Sequence, residues 1–116
     1  MGLGYYHTER FVFDETTGMN QANGTWQYKP PSALDVPIDM RVALLPNAKN
    51  PLNILGSKAS GEPPLLMTAS IFFAIKDAIA AARADAGVTT VFPLDAPATV
   101  DVIQANCCTE TTQFTL

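Results

Sequence analysis

The stretch that most limits how this chain can fold runs from Leu65 to Ala86. Leu65, Ala69, Phe72, Ile75, Ile79 and Ala82 recur at helical spacing, and Leu66, Phe73 and Ala80 make a second apolar stripe. A helix apolar on two sides must be covered from two sides, so the pattern predicts one long helix, buried through its first half. Lys76, Asp77, Arg83 and Asp85 turn its later part toward solvent, and Gly87 predicts the stop. Lys76 and Asp77 inside the run, and its fade into alanines, argue against a membrane span.

Ahead of the helix lies an irregular connection, Asn47 to Gly61, of a length that is uncommon in compact domains and often functional. It ends in Gly56-Ser57-Lys58-Ala59-Ser60-Gly61-Glu62-Pro63-Pro64, a glycine-bracketed loop delivering one carboxylate just before a Pro-Pro step. Gly61 lets backbone approach a ligand, and Pro63 and Pro64 fix the chain that follows without adding N–H donors. Upstream, Glu9 to Asp14 alternates as a strand with Phe11 and Phe13 on one face. Asn23-Gly24 signals a hairpin, Thr25 to Lys29 reads as the returning strand, and Met40 to Leu45 as a third. Thr99 is placed to cap a short helix through Asn106. The expected fold is therefore α+β: a small antiparallel sheet, one long buried helix and a short C-terminal helix.

Composition narrows the function. Charged residues make up 16% of the 116, against roughly 25% in ordinary soluble domains. That balance fits a piece that buries apolar faces against more protein, and it predicts an isolated chain that is poorly soluble or partly unfolded. A net charge of −4 offers no basic patch, so neither a nucleic acid nor an anionic membrane is an expected partner. Met1 to Tyr6 lacks the basic and apolar regions of a secretory signal. Cys107 and Cys108 are adjacent, which rarely suits a disulfide, and no Cys/His spacing supports zinc. They read as the buried end of the second helix. A reduced, cytoplasmic setting is expected, with a peroxisomal one as the alternative.

Among single residues, Glu62 is the one candidate catalytic acid. The competing role is an ordinary acid at a helix start, where the dipole favours it. Burial would raise its pKa and the helix terminus would lower it. Lys58 reads as solvated, His7 as a structural lone histidine, and Asp35 and Asp39 as solvent-facing. The glycine loop lacks the order of a nucleotide-phosphate loop.

Ser57 to Leu65, followed by Ala69-Ser70-Ile71-Phe72-Phe73-Ala74-Ile75-Lys76-Asp77-Ala78-Ile79, closely resembles the C-terminal molybdopterin-binding region of xanthine dehydrogenases, within the molybdenum hydroxylase family. Gly2-Leu3-Gly4 resembles the family's glycine pair after its last cofactor-contacting helix, and Phe92 to Thr99 resembles its closing segment. Gly61-Glu62-Pro63-Pro64-Leu65 is specific; related aldehyde oxidases usually carry Gly-Glu-Ser, so Pro63 favours xanthine dehydrogenase over that alternative.

The resemblance implies that residues 1–116 are the C-terminal fragment of the molybdopterin-binding domain of an oxidoreductase of purine catabolism that converts hypoxanthine and xanthine to urate. It implies a molybdenum–hydroxide held by a pterin dithiolene with no side-chain ligand. The glutamate matching Glu62 would take the hydroxide proton as general base, and Ser60 and Gly61 would bring backbone near the cofactor. Electrons would leave through 2Fe-2S clusters and FAD to NAD. The family's other cofactor-binding segments, its substrate-clamping arginine and its second active-site glutamate have no counterpart here. The expected partners are therefore the remaining segments of such an enzyme, a homodimer when complete, together with a purine. The fragment alone is expected to be inactive; a non-catalytic assembly role is the remaining alternative.

Overall fold

In the computed structural model, residues 1–57 and 62–109 are described, and the side chains of Gly56 and of Glu62 to Pro64 are not. Among the described residues four helices carry the fold: α1 (Gly2–His7), α2 (Glu62–Met67), α3 (Ala69–Asp85) and α4 (Val100–Asn106). Single 3₁₀ turns lie at Ala33–Asp35 and Ile54–Gly56.

The long helix forms close to where the periodicity predicts, but it is divided at Thr68, whose N–H reaches back to Leu65 O at 3.2 Å. Its far end closes as the glycine predicts. Gly87 takes φ +77°, its N–H bonds Ala84 O, and the Val88 N–H bonds Arg83 O, which together satisfy the last carbonyls of the helix. By length and composition alone, Leu65–Asp85 is apolar enough to cross a membrane, with a mean hydropathy of 1.7.

Burial is the first departure from expectation. The helix is not buried through its first half: Leu66, Met67, Ile71 and Phe73 are exposed, and only Phe72 and Ile79 of its described side chains are buried. Phe72 is covered by α1, through Tyr6 at 5.6 Å and His7 at 6.3 Å between ring centroids.

The antiparallel sheet is the second. Among the described residues there is no strand, only an isolated bridge between Phe13 and Asn20. Local hydrogen bonds have claimed the backbone instead. The Asp14 carboxylate accepts from the N–H groups of Thr16 and Thr17, so the chain reverses there, well before Asn23-Gly24. The Gly24 carbonyl accepts from the N–H groups of Gln27 and Tyr28, which coils the expected return strand. Phe11 and Phe13 do share a face, with rings stacked at 6.5 Å. Residues 40–45 carry no ladder, and Met40, Val42, Leu44 and Leu45 are all exposed.

α4 begins and ends where Thr99 and Asn106 predict, although the Thr99 side chain makes no capping bond. The cysteines are not buried: Cys107 is half-buried and Cys108 exposed, in a left-handed turn at φ +56°. The whole molecule is open. Its accessible surface is 9746 Å², where a self-contained protein of 12.4 kDa exposes about 6,100 Å². Its radius of gyration is 18.9 Å, against about 13 Å for a compact domain of this length.

Candidate functional site

Glu62 is the first residue of α2, so its backbone position is set by what holds that helix. Lys58, Ser60 and Gly61 lie outside the described residues. α2 rests on α1, and the contact is made through a missing side chain. A Cβ on Gly2 would meet Thr68 Oγ1 at 2.2 Å, Thr68 Cβ at 2.7 Å and Leu65 O at 3.1 Å. Gly2 is buried there, and only a residue without a side chain admits this approach.

The other side of α1 is fixed by polar groups. The Glu9 N–H and the Thr8 N–H both donate to Gly4 O, at 2.8 and 3.0 Å. The Glu9 carboxylate accepts from the Tyr28 hydroxyl and fills the space a Gly4 Cβ would occupy, beside Pro31. That hydrogen bond, with the adjacent negative charge, raises the Tyr28 pKa above its ordinary value. Arg10 donates to Thr99 Oγ1 and to both oxygens of Asp101, at 3.0 and 2.9 Å. The Thr99 hydroxyl also donates to Asp101, at 2.6 Å. Hydrogen bonds from Thr99 and Arg10 hold the Asp101 carboxyl below the usual carboxylate range. A cleft of about 300 Å³ lies at this junction, lined by Tyr5, Glu9, Arg10, Phe11, Ala96 and Pro97.

His7 keeps the structural role its isolation suggests. Both ring nitrogens are buried without a hydrogen-bond partner, and burial lowers its pKa. Asp39 pairs with Arg41 at the surface. Asp35 is exposed, and its carboxylate accepts from the Ser32 N–H at 2.7 Å in a reciprocal capping box.

Among the described residues no three His, Cys, Asp or Glu side chains gather to hold a metal. Glu9, Arg10 and Tyr28 carried no signal in the sequence, whereas Gly2 was marked by its glycine pair.

Comparison with known proteins puts the chain beside oxidoreductases. No protein-family model matches it. It is 45% identical over 106 residues to the xanthine dehydrogenase of Drosophila subobscura, a match covering 91% of this chain and 8% of that protein. It is 44% identical over 110 residues to the xanthine dehydrogenase/oxidase of Gallus gallus, covering 95% and 8%. Xanthine dehydrogenase 2 of Arabidopsis thaliana is 48% identical over 115 residues, covering 94% and 8%. The chain is homologous to a short stretch of xanthine dehydrogenases, and spans about 8% of the length of these curated relatives.

Proposed function

We propose that this chain is the C-terminal segment of the molybdopterin-binding domain of a xanthine dehydrogenase-like enzyme, and that Glu62 is its general base. The observation that carries the reading is the homology to xanthine dehydrogenases across nearly the whole chain, in a sequence that keeps Gly61-Glu62-Pro63-Pro64 intact. The open form supports the first half of the reading. A chain with this much apolar surface in solvent needs covering, and the other segments of a protein some twelve times longer supply it.

When bound, the molybdenum cofactor supplies the oxygen-transfer and redox chemistry, and the rest of the enzyme supplies 2Fe-2S, FAD and NAD. This chain's own contribution is narrower. The Glu62 carboxylate takes a proton from the oxygen that attacks the purine carbon, in a site closed to water by neighbouring segments. α1 and α3 pack against the helix that begins with that residue. The chain alone lacks the substrate clamp and turns over nothing.

The test is an exchange of segments. The Gallus gallus relative, with its homologous stretch replaced by this chain, is assayed for xanthine oxidation and then remade with Glu62→Gln. A working exchange whose Glu62→Gln form loses about 10²–10⁴-fold or more in kcat supports the reading. An exchange that cannot assemble sinks the domain assignment, and a Glu62→Gln form at full rate sinks the base.

A further inference from the structure

We infer that Gly2 is a positioning residue for Glu62, acting through the Thr68 junction between α2 and α3; the inference rests on the general-base reading above. The geometry is specific. Gly2 opens α1, yet the surface it presents is the absence of a side chain, pressed against Thr68 Oγ1, Thr68 Cβ and Leu65 O. Leu65 O and Thr68 N–H are themselves hydrogen-bonded, at 3.2 Å, in the turn where α2 ends. The Thr68 carbonyl then accepts from the N–H groups of Ile71 and Phe72 to start α3. Gly2 therefore bears on the one joint that sets the angle between the helix opened by Glu62 and the helix anchored at Phe72 and Ile79.

A methyl group at Gly2 cannot be absorbed by a long side chain swinging aside. Two of the three atoms it meets are a threonine Cβ and a backbone carbonyl, so the joint itself has to shift. Because α2 is only six residues long, a shift at Thr68 passes directly to its first residue. Intrinsic helix propensity works in the opposite direction, since alanine is preferred to glycine inside a helix. Any loss on Gly2→Ala is then a loss from the close approach and not from the helix.

The experiment uses the exchanged Gallus gallus enzyme described above. Gly2→Ala is expected to lower kcat by about 10–100-fold with KM within about twofold, the pattern of a displaced base and not of lost binding. The acidic limb of the kcat pH profile, set by the base, is expected to move. Hydrogen exchange at the Leu66 and Met67 amides should quicken, while that at the amides of α4 stays constant. The second variant, Gly2→Ala with Thr68→Gly, removes both threonine atoms from the clash and should restore kcat and the pH limb.

Recovery in the double variant supports the inference even where Gly2→Ala alone assembles poorly. Failure of the double variant to recover overturns it. Gly2→Ala with unchanged kcat and pH profile, beside an inactive Glu62→Gln enzyme, overturns the positioning role and leaves the base standing. A fully active Glu62→Gln enzyme removes the base itself and this inference with it.

Discussion

Two parts of this chain are equally apolar and end differently. Between Phe72 and Asn106 four apolar residues, Phe72, Ile79, Phe92 and Ala98, are buried, while Phe73, Val91 and Val100 stay exposed. Ile79 is 1% exposed and Ala98 1%, and Phe92 lies under the Arg83 guanidinium at 4.7 Å. From Val36 to Leu55 no apolar residue is buried. Ile38, Val42, Leu44, Leu52, Ile54 and Leu55 all stand in solvent. The first region has a helix, which satisfies its own backbone hydrogen bonds. The second holds the expected strand Met40 to Leu45 and part of an irregular connection, whose backbone and apolar side chains need neighbours from elsewhere. Apolar sequence is thus a demand for a partner, and among the described residues the first region finds more of its cover than the second.

That contrast can be broken or sharpened. The largest effect should come from Ile79→Ala, which removes the most deeply buried large side chain of the anchored region. A loss of about 2–5 kcal/mol is expected, read from urea unfolding of the chain; a loss near zero would mean that burial does not anchor this half. Val42→Asp should divide the two settings. In the chain alone it should change stability by no more than about 0.5 kcal/mol; if the proposed full-length setting covers that face, the exchanged enzyme should lose about 2–3 kcal/mol. Equal effects in both would place Val42 in solvent in the complete protein as well. Gly4→Ala comes next. It drives a methyl group into the Glu9 carboxylate and Pro31, frees Tyr28, and should cost about 1–3 kcal/mol by thermal melting.

The smallest effect is electrostatic. Asp101 has its pKa lowered in the folded chain, first by Thr99 and then by Arg10. Its contribution is therefore present above the unfolded carboxylate pKa of about 3.9 and is lost as pH falls through the lower folded value. His7, lowered by burial, adds stability that is fully present above about pH 6.5 and declines as the pH drops below it. Melting of the wild type and Asp101→Asn across acid pH should converge at the low end. About 1 M salt, which shortens screening to about 3 Å, should shrink the difference at neutral pH.

What the sequence made legible follows the same division. The long helix, its Gly87 stop and the limits of α4 are written in spacings of a few residues, and those features form. The break at Thr68 is not, because nothing in the local pattern marks where Gly2 will press. The strands at Glu9–Asp14, Thr25–Lys29 and Met40–Leu45 carried the right alternation for a sheet. Asp14 and Gly24, however, captured neighbouring N–H groups first, and the third segment had nothing to pair with. α1 was missed altogether, since two glycines in six residues argue against a helix. Its residues are held from outside, by Phe72 against Tyr6 and His7 and by the Ala98 N–H on Tyr6 O at 2.7 Å. Glu62 is marked in the sequence by its motif, and Gly2 only by belonging to a glycine pair; its approach to Thr68 is a matter of packing that a bare Cα does not announce.

The bonds that join Arg10 to Thr99 and Asp101 span 89 and 91 residues. On a ribosome adding about 5–20 residues per second, the first ten residues emerge roughly 5–20 s before the residues that complete their setting. For that interval Tyr6 is without Phe72 and the Ala98 N–H, and Arg10 is without Thr99 and Asp101, so the N-terminal helix waits on residues made last.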